Sequence, residues 1–161
     1  MSDPLSKLGL KYAKILGETA NPRYVYRIFD VESCPLLVGN DIIKHVEGCS
    51  QIVLLCATLG ERLDRAIRAA QISDMAGAVI LDSLASDYIE QVLDTCEDEI
   101  RAKFPNKTLT WRYSPGYGDF PISVQPEFLS ALDAGRKIGL YCGESLLLTP
   151  QKSVTAVIGL S

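Results

Sequence analysis

The stretch Trp111-Arg112-Tyr113-Ser114-Pro115-Gly116-Tyr117-Gly118-Asp119-Phe120-Pro121 follows a strand-like run, Thr108 to Arg112, and is the most telling part of the chain. It combines one arginine, four aromatic rings, two glycines and two prolines. Pro115-Gly116 marks a turn, because proline presets φ at about −65° and glycine accepts positive φ. A stiff turn that presents a guanidinium among aromatic faces suits a small ligand with a carboxylate and a planar or cationic part. The same residues would also serve as an aromatic-rich turn covering one edge of the core.

Working outward, 161 residues point to a single domain spanning 1–161, long enough to bury roughly 70% of its unfolded surface. Hydrophobic residues make up 47% and charged residues 22%, the profile of an ordinary globular protein. The net charge of −4 gives no electrostatic case for a nucleic-acid or anionic-membrane partner. No apolar run approaches the length of a membrane span, and Met1-Ser2-Asp3-Pro4 lacks the basic start of a signal peptide. A cytoplasmic location is expected.

Cys34, Cys49, Cys56, Cys96 and Cys142 are scattered and odd in number, with no C-x-x-C pair, so neither a disulfide framework nor a zinc site is expected. The single histidine, His45, cannot build a multi-histidine metal site. It lies in His45-Val46-Glu47-Gly48, an echo of the H-x-x-G part of the D-x-H-x-x-G loop of corrinoid-binding proteins. Ile43 stands where that loop needs its aspartate, and a short helix ending at Gly48 accounts for the same residues. No phosphate-binding glycine loop and no G-x-S-x-G elbow occurs. Lys152 and Ser153 are adjacent on a strand and point to opposite faces, so they do not form a nucleophile pair. No catalytic residue and no bound metal is assigned. A module that positions a cofactor is the better expectation.

Elements alternate irregularly. Ser2-Asp3-Pro4 starts a helix whose apolar stripe is Leu5, Leu8, Tyr12, Ile15 and Leu16, ending at Gly17. Arg23 to Val31 is a strand, Asp41 to Val46 a short helix, Gln51 to Ala57 a buried strand and Glu61 to Ile72 a helix. The longest helix follows Asp74 and runs to Phe104, with Ile89, Val92, Leu93, Cys96 and Ile100 inward. Glu90, Asp94, Glu97 and Asp98 fall on its other faces, a solvated acidic surface. Beyond the turn come a helix through Glu127 to Leu132, capped by Gly135, and two strands, Ile138 to Cys142 and Ser153 to Gly159. The mixture predicts an α+β fold with a largely antiparallel sheet and flanking helices.

Arg112-Tyr113-Ser114-Pro115-Gly116-Tyr117 resembles the R-x-x-x-G-Y motif of the activation domain of vitamin B12-dependent methionine synthase. Cys56-Ala57-Thr58-Leu59-Gly60, the segment Leu81 to Glu90, Gly116 to Pro121 and Glu144-Ser145 through Pro150-Gln151-Lys152-Ser153-Val154 resemble small stand-alone members of that family. The likeness runs from Tyr24 to the end, and residues 1–22 match less well. It implies a bent, largely antiparallel sheet and an S-adenosylmethionine site. Arg112 would bind the methionyl carboxylate, Ser114 would offer backbone contacts near the adenine, and Gly116 would let the chain approach the ligand. Tyr117 would pack against the ligand, and Glu90 would attract its ammonium or sulfonium charge.

By the same resemblance the chain would take part in reductive activation within methionine biosynthesis. A separate corrinoid protein, or a truncated methionine synthase, would supply the cobalamin. Flavodoxin or ferredoxin would supply an electron. The family's N-terminal aspartate has no counterpart here, and its late tyrosine falls at Val157 or Ile158. Two other readings stay open: a docking subunit for a corrinoid methyltransferase that binds no S-adenosylmethionine, and a protein whose arginine turn recognises some other small acid.

Overall fold

Strand β2 (Gln51–Thr58) explains most of the architecture. It is the centre of a three-stranded sheet between β1 (Arg23–Asp30) and β5 (Ser153–Leu160), antiparallel throughout, with Val25 opposite Cys56 and Leu55 opposite Ala156. The computed structural model describes residues 3–161, so Met1 and Ser2, the first part of the expected helix start, lie outside the described residues.

Alternate residues of β2 feed two different cores. Val53, Leu55 and Ala57 join Ala156, Ile158 and Leu160 beneath helices α1 (Pro4–Thr19), α3 (Glu61–Ser73) and α4 (Met75–Lys103). Ile52, Leu54 and Cys56 face the other way, against Phe120 and helices α2 (Asn40–His45), α5 (Gln125–Leu132) and α6 (Ala134–Ile138). A strand covered on both faces has no polar side to show, which is why Ile52 to Ala57 is an unbroken apolar run. Burying each large aliphatic side chain there contributes about 1.5–3 kcal/mol.

The 29-residue α4 begins at a firm joint. The Asp74 carboxylate accepts the Gly77 backbone N–H at 3.0 Å and the Tyr12 hydroxyl at 3.0 Å. Those two donors hold its carboxyl below the usual value, the backbone one most strongly. A Cβ at Gly77 would overlap the Tyr12 ring, so glycine is what lets α1 seat against α4.

Three expected elements differ. Thr108 to Arg112 is an irregular segment along the outer edge of β5, bridged at Leu109–Leu160 and Tyr113–Val157. Gly135 does not cap α5: Asp133 makes that turn with φ 52°, and Gly135 lies inside α6, where a Cβ would overlap the Tyr141 ring. The expected strand Ile138 to Cys142 shrinks to β3 (Tyr141–Cys142), which pairs with β4 (Leu148–Thr149). Ile138 ends α6 and is buried in the second core.

Candidate functional site

The edge of β5 decides where Arg112 points. Backbone hydrogen bonds join Thr108 to Ser161, Thr110 to Gly159 and Tyr113 to Val157. The last step advances three residues on one side and two on the other, so one extra residue is inserted at Trp111–Arg112. This is a β-bulge, which re-aims side chains. Leu109 packs in the α4-side core and Tyr113, four residues on, packs in the opposite one. A regular strand would hold both on one face.

Re-aimed in this way, the Arg112 guanidinium meets α4. Its Nη2 lies 2.8 Å from Glu90 Oε2, and its Nη1 lies 3.0 Å from Asp94 Oδ1 and 3.3 Å from Glu97 Oε1. Spacings of four and three residues align these carboxylates on one helical stripe. Glu97 is nearly covered and also reaches Arg101 at 3.5 Å, whereas Glu90 and Asp94 are mostly exposed. Burial pushes the Arg112 pKa down, but the hydrogen bond it donates to Asp94 and the charges of Glu97 and Glu90 outweigh it and raise it above its usual value.

The turn that follows is closed by three backbone hydrogen bonds. Tyr117 N–H donates to Ser114 C=O at 3.1 Å, Phe120 N–H to Tyr117 C=O at 3.0 Å and Gly116 N–H to Phe120 C=O at 2.8 Å. Gly116, at φ 98°, supplies the positive φ that the turn after Pro115 demands. Phe120 anchors the turn in the second core. Asp119 then caps a different element: its carboxylate accepts the N–H groups of Asn40 and Asp41, each at 2.8 Å. Asp41 Oδ2 accepts the Asp119 N–H at 2.9 Å in return. From α2, His45 Nε2 donates to the Trp111 carbonyl at 2.8 Å, with its ring 4.9 Å from that of Tyr113.

Between α4 and the turn lies an open cleft of about 380 Å³, within the range of small-ligand sites. Of the five residues expected at a site, Arg112, Ser114, Tyr117 and Glu90 line it together. Gly116 belongs to the same turn but is not part of the lining; its φ is 98°, and a Cβ there would meet no protein atom within 4 Å. Glu90 is paired with Arg112. The acidic stripe is correspondingly not a plain solvated surface, since Asp94 and Glu97 share the same guanidinium. Leu93, Asp94, Glu97, Arg101, Trp111 and Val154 complete the lining and were not singled out as site residues from sequence.

Other features of the molecule offer less. Lys152 Nζ reaches Asp82 at 2.8 Å and Ser86 at 2.9 Å, while Ser153 Oγ turns to Thr58 and Pro150, so the two are apart as expected. Burial pushes the Cys56 and Cys96 thiols up to about 12, which keeps both protonated. Val157 and Ile158, where the sequence resemblance put a late tyrosine, are fully buried apolar side chains. A roomier hollow of about 700 Å³ near Cys34 and Cys49 is mainly apolar and offers only Lys44 and Glu47 as charges. Among the described residues no helix is long and apolar enough to cross a membrane.

No protein-family model and no curated protein sequence matches the chain. Among solved structures it is similar to the crystal structure of the MetH reactivation domain bound to AdoHcy, with a TM-score of 0.71 and 16% sequence identity. The match covers 96% of this chain and 65% of that one, so the chain spans about two thirds of the length of that domain. At this identity the likeness concerns the backbone. The chain has the mixed helix and antiparallel-sheet fold of the MetH reactivation domain.

Proposed function

We propose that this chain binds S-adenosylmethionine in the Arg112 cleft and acts in trans to reactivate a separate corrinoid protein. One observation carries the reading: Arg112 and Tyr117 of the R-x-x-x-G-Y motif line a ligand-sized cleft in a fold whose solved relative holds AdoHcy, the demethylated form of that cofactor. The Arg112 fork matches a carboxylate, and Glu90 and Asp94 can exchange from the guanidinium to the ligand's ammonium as that carboxylate arrives. Space beside Gly116 and the exposed Tyr117 ring leave room for the adenosyl part.

The reaction served is the reductive methylation of cob(II)alamin. One electron from flavodoxin or ferredoxin and the methyl group of the sulfonium give methylcobalamin and S-adenosylhomocysteine. Cobalt chemistry belongs to the corrin of the partner; this chain contributes placement and charge. The test is a reactivation assay with a truncated methionine synthase in the cob(II)alamin state, a reduced electron donor and methyl-labelled S-adenosylmethionine. Label is expected in methylcobalamin only when the chain is present. No acceleration over partner and donor alone would end the proposal.

A second reading, docking without S-adenosylmethionine, is favoured by the three carboxylates that already satisfy Arg112. Capture of the corrinoid protein with and without S-adenosylmethionine separates the two: capture that requires the ligand excludes the pure docking subunit.

A further inference from the structure

We infer that Trp111 is the stacking platform for the planar base of the ligand in the Arg112 cleft, an inference that rests on the function just proposed. Consecutive residues of a regular strand face opposite sides, so an indole and the guanidinium next to it could not share one cleft. The bulge removes that restriction, and Trp111 and Arg112 both line the hollow. The ring is 76% exposed, although tryptophan contributes most to stability when covered.

The backbone beneath the ring is nevertheless held firmly. The Trp111 carbonyl accepts from His45 Nε2 at 2.8 Å and from the Thr110 hydroxyl at 3.1 Å, and the His45 ring lies 5.8 Å from the indole. A large aromatic face on a fixed stem, open to a cleft that also holds a carboxylate-binding fork, fits a ligand with a flat heterocycle at one end and an acid at the other. Tyr117, also exposed, lines the same cleft. His45 is thereby a positioning residue, acting through the Trp111 backbone.

Trp111 is the chain's single tryptophan, so its emission reports on this spot alone. The experiment titrates the full chain, as wild type, Trp111→Phe and Trp111→Ala, with S-adenosylmethionine by calorimetry and follows wild-type emission in parallel. Trp111→Ala should weaken binding about fivefold to a hundredfold, Trp111→Phe less, and saturating ligand should change the wild-type emission. An unaltered unfolding midpoint in Trp111→Ala verifies that the exposed site is dispensable for folding. Wild-type affinity in Trp111→Ala overturns the inference while leaving the ligand assignment intact. Wild-type affinity together with lost capture of the corrinoid protein also overturns it, assigning the indole to docking. Absence of binding to the wild type overturns the ligand assignment and this inference with it.

Discussion

Two groups of carboxylates hold the Arg112–Pro121 loop, and they differ in what satisfies them. Asp41 and Asp119 take backbone N–H groups of α2 and of the turn, donors that cannot move without unfolding that part of the chain. Glu90, Asp94 and Glu97 take a side chain, Arg112, on the wall of an open cleft. The first group is a clasp that fixes the turn against α2. Under the proposed function the second is exchangeable, because an incoming acid or ammonium can replace either member of each pair. Acidic clusters of similar composition thus differ in whether backbone or side chain completes them.

The largest expected effect tests the exchangeable side. Arg112→Ala should weaken S-adenosylmethionine binding by about 1.5–3 kcal/mol, the range for hydrogen bonds to a charged group. Arg112→Lys should fall between, since it keeps the charge and loses the fork. Calorimetric titration measures both, and equal affinity of Arg112→Ala and wild type would remove Arg112 from the site.

The clasp is broken from the other end at Gly118. Its φ of 51° is in the left-handed region, and a Cβ there would overlap Asp41 Oδ2 and lie 2.7 Å from the Tyr113 hydroxyl. Gly118→Ala should destabilise the fold by about 2 kcal/mol, combining left-handed strain with the forced displacement of Asp41. Thermal unfolding should show a midpoint lower by roughly 4–8 °C. An unchanged midpoint would mean that the turn is not pinned to α2.

Sequence carried the frame of this molecule further than its site. The unbroken run Ile52 to Ala57, the periodic Ile89, Val92, Leu93, Cys96 and Ile100, and the Pro115-Gly116 turn each obey a local rule, and each folds as that rule requires. The bulge at Trp111–Arg112 leaves no such trace: one inserted residue changes no composition and no propensity, yet it reverses which core Tyr113 enters. Asp94 and Glu97 were legible as a polar stripe but not as partners of Arg112, because nothing in helical period reports what lies opposite. Asp133 in a left-handed turn beside Gly135 misled for the converse reason: glycine there serves the Tyr141 ring.

A smaller effect sharpens the comparison through charge. Three carboxylates against Arg112 and Arg101 leave the cleft with an excess of one negative charge. The sulfonium of S-adenosylmethionine should then be favoured over the neutral thioether of S-adenosylhomocysteine by roughly threefold to tenfold, the Coulomb energy of one charge at several ångströms in a wet site. Glu90→Gln combined with Asp94→Asn should narrow that ratio, as should added salt. Stability should change by less than about 1 kcal/mol, since exposed ion pairs contribute little. A ratio that does not move would show that these acids never face the sulfonium.

The smallest effect separates the two groups by pH. Backbone N–H groups of Asp41 and Asn40 hold the Asp119 carboxyl below its ordinary value of 3.8. A carboxyl with a lowered folded pKa stabilises fully above its unfolded value, and that contribution is lost as pH falls through the folded one. Asp119→Asn should therefore be less stable than wild type at neutral pH, and the deficit should shrink as pH falls below about 4. Asp74, lowered for its own reasons at the start of α4, titrates in both proteins and cancels from the difference. Denaturant unfolding at several pH values measures the gap. A gap that stays constant down to the acid limit would mean that Asp119 acts by shape alone, and the backbone-completed clasp would lose its electrostatic half.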